Sequence, residues 1–114
     1  SPQDLSRYYQ FGAIFENYVI ADAQKTAFHR GKRPNFSFYR DSHGNEVDLV
    51  QDRATKAHLW EIKATQTYHA RLAKTLHKVA LEWDVPTALE VIYSGAEELQ
   101  AQGALFRPWH QIAW

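Results

Sequence analysis

The sequence predicts an α/β domain with the element order α-β-β-β-α-β. Three observations predict it. The chain opens on a long stretch whose apolar residues recur at helical spacing. Three short apolar runs separated by polar turn residues come next. A second helical period then precedes one more β-branched run that ends at Tyr93.

The first helix is expected from about Pro2 to about Arg30. Ser1 to Asp4 offers a capping box with Pro2 at the first helical position, and a start nearer Ser6 is equally allowed. Gly31 and Pro34 supply the stop. Asn35–Arg40, short and aromatic, reads as a strand, and Asp41–Asn45 as a turn. Glu46–Gln51 pairs back on it as a hairpin. After a polar turn at 52–56, Ala57–Lys63 forms the third strand. Leu72, Leu76, Val79 and Trp83 mark the buried face of a second helix from about Tyr68 to Trp83, which Pro86 ends. Thr87–Tyr93 is the fourth strand. Ser94-Gly95 is a turn, residues 96–103 a polar excursion, and Ala104–Arg107 a short final strand leading into Pro108 and Trp109.

Bulk properties narrow the function classes. A chain of 114 residues suggests one domain with one core. With 45% hydrophobic residues it is globular rather than disordered. The 13 basic and 13 acidic residues balance, which argues against a general nucleic-acid coat protein but leaves room for a local basic face. The absence of Cys excludes disulfides and thiolate metal sites. No apolar run has the length of a membrane span, so the expectation is a soluble cytoplasmic domain with no membrane partner.

The chemistry concentrates on the second and third strands. Side chains alternate along a strand, so Glu61 and Lys63 share one face, about 7 Å apart, and Trp60 and Ile62 the other. Asp48 lies on the neighbouring strand, with Val47 and Leu49 expected to point the opposite way, and the hairpin brings it beside Glu61. Phosphodiester cleavage needs a hard cation that polarises the phosphate and acidifies a water. Two carboxylates suffice to hold Mg²⁺ or Mn²⁺, and a lysine beside them can orient the water or offset developing charge. Most E-x-K tripeptides on strands are solvent-facing ion pairs of little worth. Here the surrounding Val47, Leu49, Val50, Leu59, Trp60 and Ile62 make both strands strongly apolar, where unpaired charge is expensive.

The first helix adds an independent sign. On a helical wheel Leu5, Gly12, Phe15, Val19, Ile20 and Ala23 gather on one side, and Arg7, Gln10, Asn17, Asp22 and Lys25 on the other. Glu16 falls on the apolar side. A carboxylate there needs a cation or donors, which Lys63 or a metal would supply, unless it is a structural ion pair or reaches around to water.

These residues carry a resemblance. Residues 12–20 (Gly12 to Ile20, including Glu16), Arg33–Phe36, Tyr39–Asp41, Gly44–Leu49, Glu61–Lys63 and Pro108-Trp109 together resemble the C-terminal domain of a family of prokaryotic AAA+-type ATPases, catalogued as a domain of unknown function. In that family the domain is restriction-endonuclease-like, of the PD-(D/E)XK nuclease superfamily. The resemblance covers most of the chain from about Gly12 onward. It implies a central mixed β-sheet flanked by helices. It also implies Glu16 as the helical carboxylate, Asp48 as the first core acid, and Glu61 and Lys63 as the E-x-K, with Asp48 and Glu61 binding metal. Val47 stands where the pattern has Pro, at a position that varies widely in the superfamily. Gln66 resembles a polar residue that some relatives use near the phosphate. No phosphate loop of the ATPase kind occurs, so the chain is expected to be part of a longer ATPase and not itself to hydrolyse ATP.

Two basic clusters remain. Arg71, Lys74 and Lys78, with His77 close by, lie on one side of the second helix, and Lys25, His29, Arg30, Lys32 and Arg33 crowd the end of the first. Either can contact phosphates, although a solvated helix face is the commoner meaning of such a cluster. His69, His77 and His110 have no metal-ligand spacing on one element, so no zinc site is expected. Two functions compete. One is a magnesium-dependent nuclease acting on DNA through Glu16, Asp48, Glu61 and Lys63, with Gln66, Arg71, Lys74 and Lys78 on the substrate. The other is a catalytically silent module of the same fold that binds DNA or protein beside an ATPase.

Overall fold

The computed structural model describes residues 2–31 and 35–114, with side chains from residue 10 onward. Ser1 of the expected capping box, Lys32 and Arg33 of the basic loop, and the Pro34 stop lie outside the described residues, as do the side chains of Leu5 and Arg7. Helix α1 runs Pro2–His29. Strands β1 (Phe36–Arg40), β2 (Glu46–Arg53) and β3 (Lys56–Lys63) come after it. A 3₁₀ turn at Ala70–Ala73 leads into α2 (Lys74–Ala80) and then β4 (Thr87–Tyr93). Two further strands, β5 (Leu99–Ala101) and β6 (Ala104–Pro108), precede a 3₁₀ turn at Trp109–Gln111.

The strands form one mixed sheet of six in the order β1-β2-β3-β4-β6-β5. β1, β2 and β3 are antiparallel neighbours, β3, β4 and β6 run parallel, and β5 closes the far edge antiparallel to β6. The parallel β3–β4 pair needs a crossover, and α2 with its 3₁₀ turn supplies it. A mixed sheet flanked by helices is therefore what the chain builds, as expected.

Each face has its own core. On one, Phe15, Val19 and Ala23 of α1 pack on Leu49, Trp60, Ile62 and Ile92. On the other, Leu76 and Val79 of α2 pack on Val47, Val50, Leu59, Val91, Tyr93 and Phe106. Trp60 and Ile62 thus share a face, as strand alternation requires. Burying apolar residues on both faces accounts for the near-continuous hydrophobic runs of β3 and β4. The last residues strap the α1 side: Trp114 packs edge-on to Trp60 at 5.2 Å and donates its indole N–H to Asp22 Oδ2 at 2.8 Å. Asp22, which the wheel places among the solvent-facing residues, is for that reason half-buried.

Three expectations need correction. The second helix is shorter than Tyr68–Trp83. His69 caps its start by accepting Arg71 N–H at 3.1 Å, the first turn tightens to 3₁₀, and the helix ends at Ala80, where Glu82 N–H and Trp83 N–H bond to the Val79 and Ala80 carbonyls at 3.0 and 3.2 Å and break the α-helical ladder. The polar excursion at 96–103 contains β5, which turns into β6 through Gln102 and Gly103. Both turn residues have positive φ, 53° and 83°, the conformation that a two-residue hairpin of right-handed twist demands. The third correction concerns β2 and shapes the candidate site.

Candidate active site

Strict alternation along β2 would send Val47 and Leu49 to one face and Asp48 to the other. Instead Val47 lies in the α2-side core and Leu49 in the α1-side core, while Val50 lies on the α2 side with Val47. The cause is a register shift against β1. Ser37 pairs with Val50 and Tyr39 with Val47, so the single residue Phe38 faces both Asp48 and Leu49. This β-bulge inserts one residue into β2 and re-aims the side chains beyond it. It falls where β2 and β3 part, since their pairing ends at Leu49 and Trp60. The open fork between the two strands is where the side chains meet.

Glu16, Asp48, Glu61 and Lys63 all line one cleft of about 320 Å³ at this fork, together with Gly44, Asn45, Glu46, Ile62 and Thr75. Asp48 Oδ2 accepts the backbone N–H of Ile62 at 2.8 Å, taking the place of a ladder bond that the diverging strands no longer make. Lys63 Nζ lies 3.7 Å from Glu61 Oε1, with Lys63 half-exposed and Glu61 buried. The rim at Gly44–Glu46 is held by the β1–β2 turn. There Asp41 accepts the N–H groups of His43 and Asn45, each at 2.9 Å, and the Asn45 side-chain amide at 3.0 Å. Those donors, Asn45 first, hold the Asp41 carboxyl below its ordinary range.

The electrostatics arise from four carboxyls, Glu16, Glu46, Asp48 and Glu61, and the Lys63 ammonium. Burial pushes the Glu61 carboxyl up to about 9 from an ordinary 4.5, reinforced by a side-chain hydrogen bond to Asp48 and by its charge. Lys63 works against that rise and Glu16 adds to it. Glu16 is raised too, first by burial and then by Asp48. The cluster therefore keeps a proton near neutral pH unless another positive charge enters. The oxygens are hard donors, the chemistry that suits Mg²⁺ or Mn²⁺. Among the described residues no three His, Cys, Asp or Glu side chains are set as a ready metal-binding group. Mg²⁺ does not require one, because it is commonly held by one or two carboxylates with water and phosphate completing the shell. The donor pair that fits is Asp48 and Glu61.

Residues 11–112 match a family described as Domain of unknown function (DUF4143). The chain belongs to this family. No curated protein and no solved structure matches the chain.

All four fork residues fall inside the DUF4143 segment. The other expected contacts do not join them. Arg71, Lys74 and Lys78 line a separate cleft with His77. Gln66 is exposed on the β3–α2 connection and lines neither cleft. Lys25, His29 and Arg30 are exposed at the end of α1, and Arg30 donates to the Trp114 carbonyl. Thr75 and Asn45 belong to the DUF4143 cleft without having been singled out. Thr75 carried a usable signal, since it sits three residues after Leu72 and four before Val79, a polar side chain within an apolar helix face. No helix among the described residues is long and apolar enough to cross a membrane.

Proposed function

We propose that this chain is a metal-dependent nuclease of the restriction-endonuclease-like, PD-(D/E)XK kind, acting on DNA. One observation carries the reading: Asp48, Glu61 and Lys63 from two strands and Glu16 from α1 line a single open cleft. The α1, hairpin and third-strand order around that cleft is the arrangement that the resemblance implies. The same resemblance makes an ATPase module of the same protein the expected partner.

In this reading Asp48 and Glu61 hold Mg²⁺ or Mn²⁺. The bound cation would polarise the scissile phosphate and lower the pKa of the attacking water. Ile62 N–H fixes the Asp48 carboxylate, so one oxygen stays oriented while the other faces the cleft. The Lys63 ammonium, 3.7 Å from Glu61, balances the buried carboxyl and offers donors to a phosphate oxygen or to the nucleophilic water. Glu16 closes the cleft from the helix side, its carboxyl held above the ordinary range by burial and then by the neighbouring Asp48. Arg71, Lys74 and Lys78 stand on the α2 side to take flanking phosphates.

A second reading is a silent module of the same fold. It is favoured by the internal pairing of the cluster, with Asp48 bonded to a backbone N–H and Glu61 to Lys63. The deciding experiment is cleavage of single-stranded, duplex and branched DNA with Mg²⁺ or Mn²⁺, alongside Asp48→Ala. Metal-dependent cleavage lost in the variant supports the nuclease. Equal activity in both proteins eliminates it. No turnover and no Mg²⁺ binding by calorimetry would leave the silent module standing.

A further inference from the structure

Two clefts of opposite chemistry lie outside the carboxylate fork. On the α2 side, Arg71, Lys74, His77 and Lys78 line a cleft of about 610 Å³ whose lining holds no carboxylate. Thr75 of the same helix lines the fork, while Gln102 of the β5–β6 turn closes the cation cleft on the far edge of the sheet. On the α1 side, Phe11, Ile14, Phe15, Tyr18, Ser94 and Trp109 line a smaller cleft of about 210 Å³. Its apolar rings are open: Phe11 is 52%, Tyr18 58% and Trp109 38% exposed. Tyr18 meets Trp109 edge-on at 5.6 Å, so the two form a corner, and the ring that contributes its edge keeps its faces free of the other.

Register links the backbone beside the aromatic cleft to the Lys63 end of β3. Lys63 pairs with Tyr93 and Tyr93 with Pro108, a single row across β3, β4 and β6, with Trp109 next in the chain. Two strand spacings separate the ends of that row, about 10 Å. The connection is firm. Ser94 Oγ donates to the Ala64 carbonyl at 2.9 Å and Ser94 N–H to the Thr65 carbonyl at 3.0 Å, so the residue lining the aromatic cleft is bonded to the segment just after Lys63.

The two clefts select different parts of a nucleic acid. Cations with no facing carboxylate complement phosphates. Open aromatic rings complement base faces, which a duplex hides by stacking and only unpaired nucleotides expose. We propose that the substrate is a nucleic acid with unpaired nucleotides beside the scissile phosphate, its phosphates crossing the α2 cleft and an unpaired base seated among Phe11, Tyr18 and Trp109. This rests on the nuclease reading for the position of the scissile phosphate.

The test is equilibrium binding in EDTA, where no cleavage occurs, by fluorescence anisotropy. The probes are a blunt DNA duplex and a shorter duplex with a single-stranded tail and the same number of phosphates. The tailed probe binds the parent about tenfold tighter, a factor that one stacked base supplies. Tyr18→Ser and Trp109→Ala each remove that preference and leave blunt-duplex affinity unchanged. Tyr18→Ser is the safer variant, because Tyr18 is the more exposed and Trp109 also meets Phe15. Lys74→Ala with Lys78→Ala weakens both probes alike and lowers the slope of log affinity against log salt by about 2. Equal binding of the two probes by the parent overturns the inference, and so does a preference that survives Tyr18→Ser. A dimer that Tyr18→Ser dissociates, with discrimination untouched, overturns it in favour of a second copy on this face. Because no turnover is read, a tail preference without any cleavage sinks only the nuclease reading. Asp48-dependent cleavage without a tail preference sinks only the inference.

Discussion

Asp48 Oδ2 accepts the backbone N–H of Ile62 at 2.8 Å, so a side chain of β2 completes the hydrogen bonding of β3 where the two strands separate. The carboxylate thereby has a structural duty beside the proposed metal-binding one, and two substitutions separate them. Asp48→Asn keeps a carbonyl oxygen for Ile62 and removes the charge. Asp48→Ala leaves the part-buried N–H without a partner. Urea unfolding is expected to place the Ala variant about 1–3 kcal/mol below the Asn variant. Both lose metal-dependent cleavage. Cleavage retained by Asp48→Asn would remove the negative charge from the mechanism.

The raised carboxyls make stability depend on pH with a definite sign. Glu61 titrates near 9 in the folded chain against an ordinary 4.5, and Glu16 is shifted the same way. Between those limits the folded state holds more protons than the unfolded one. The stability from protonated Glu61 is fully present below pH 4.5 and is lost as pH rises through about 9. Thermal melts in EDTA are expected to fall across that window, and Glu61→Gln to flatten the curve.

The same carboxyl links pH to metal binding. A cation can use Glu61 only after its proton leaves, so Mg²⁺ binding is expected to release protons and to tighten as pH rises toward about 9. Calorimetry in buffers of different ionisation enthalpy measures the release directly. Mg²⁺ affinity that ignores pH over this range would show that Glu61 is not a ligand.

Helix α1, the β1–β2 hairpin, β3 and β4 were legible because each rests on a local signal: apolar spacing, turn residues or a β-branched run. The identities of the fork residues were legible for a related reason, since a carboxylate within apolar periodicity is conspicuous at Glu16 and Glu61. Asp48 comes beside Glu61 as the hairpin reading expects, but the opposite facing of Val47 and Leu49 was not legible. Alternation along β2 cannot register a bulge, which exists only in the pairing of Phe38 against Asp48 and Leu49. β5 went unread because Leu99–Ala101 is too short to show a period, and it is a strand only because β6 runs beside it. The sequence spacing of α2 suited a longer helix because Trp83 does pack on the core, but the chain reaches it through i→i+3 bonds at Glu82 and Trp83, which apolar spacing cannot tell from α-helix.

Thr75 provides a test of the cleft that avoids the carboxylates. It enters the fork from α2 between the partly buried Leu72 and the buried Val79. Thr75→Val keeps the shape and removes the hydroxyl. Stability is expected to stay within about 1 kcal/mol, while cleavage falls about tenfold, the effect of one lost hydrogen bond to a bound phosphate. Unchanged kcat/KM would place Thr75 on the wall of the cleft without a contact to substrate.

Gly95 ties the fork to the far side of the sheet. A Cβ there would come within 2.3 Å of Tyr93 Cε2 and 2.8 Å of the Gln66 carbonyl, so no side chain fits unless the β4 end and the β3–α2 connection move apart. The ring cannot simply swing away, because Tyr93 is 2% exposed within the α2-side core and its hydroxyl donates to the Glu97 carbonyl. The segment that would yield is therefore the one carrying Gln66, three residues after Lys63. Gly95→Ala is expected to cost about 1–3 kcal/mol of stability by overpacking. It is also expected to lower cleavage more than binding of blunt duplex, because Lys63 shifts while the α2 cations stay in place. Equal losses in both measurements would mean that the strain spreads through the sheet and not specifically into the Lys63 end of β3.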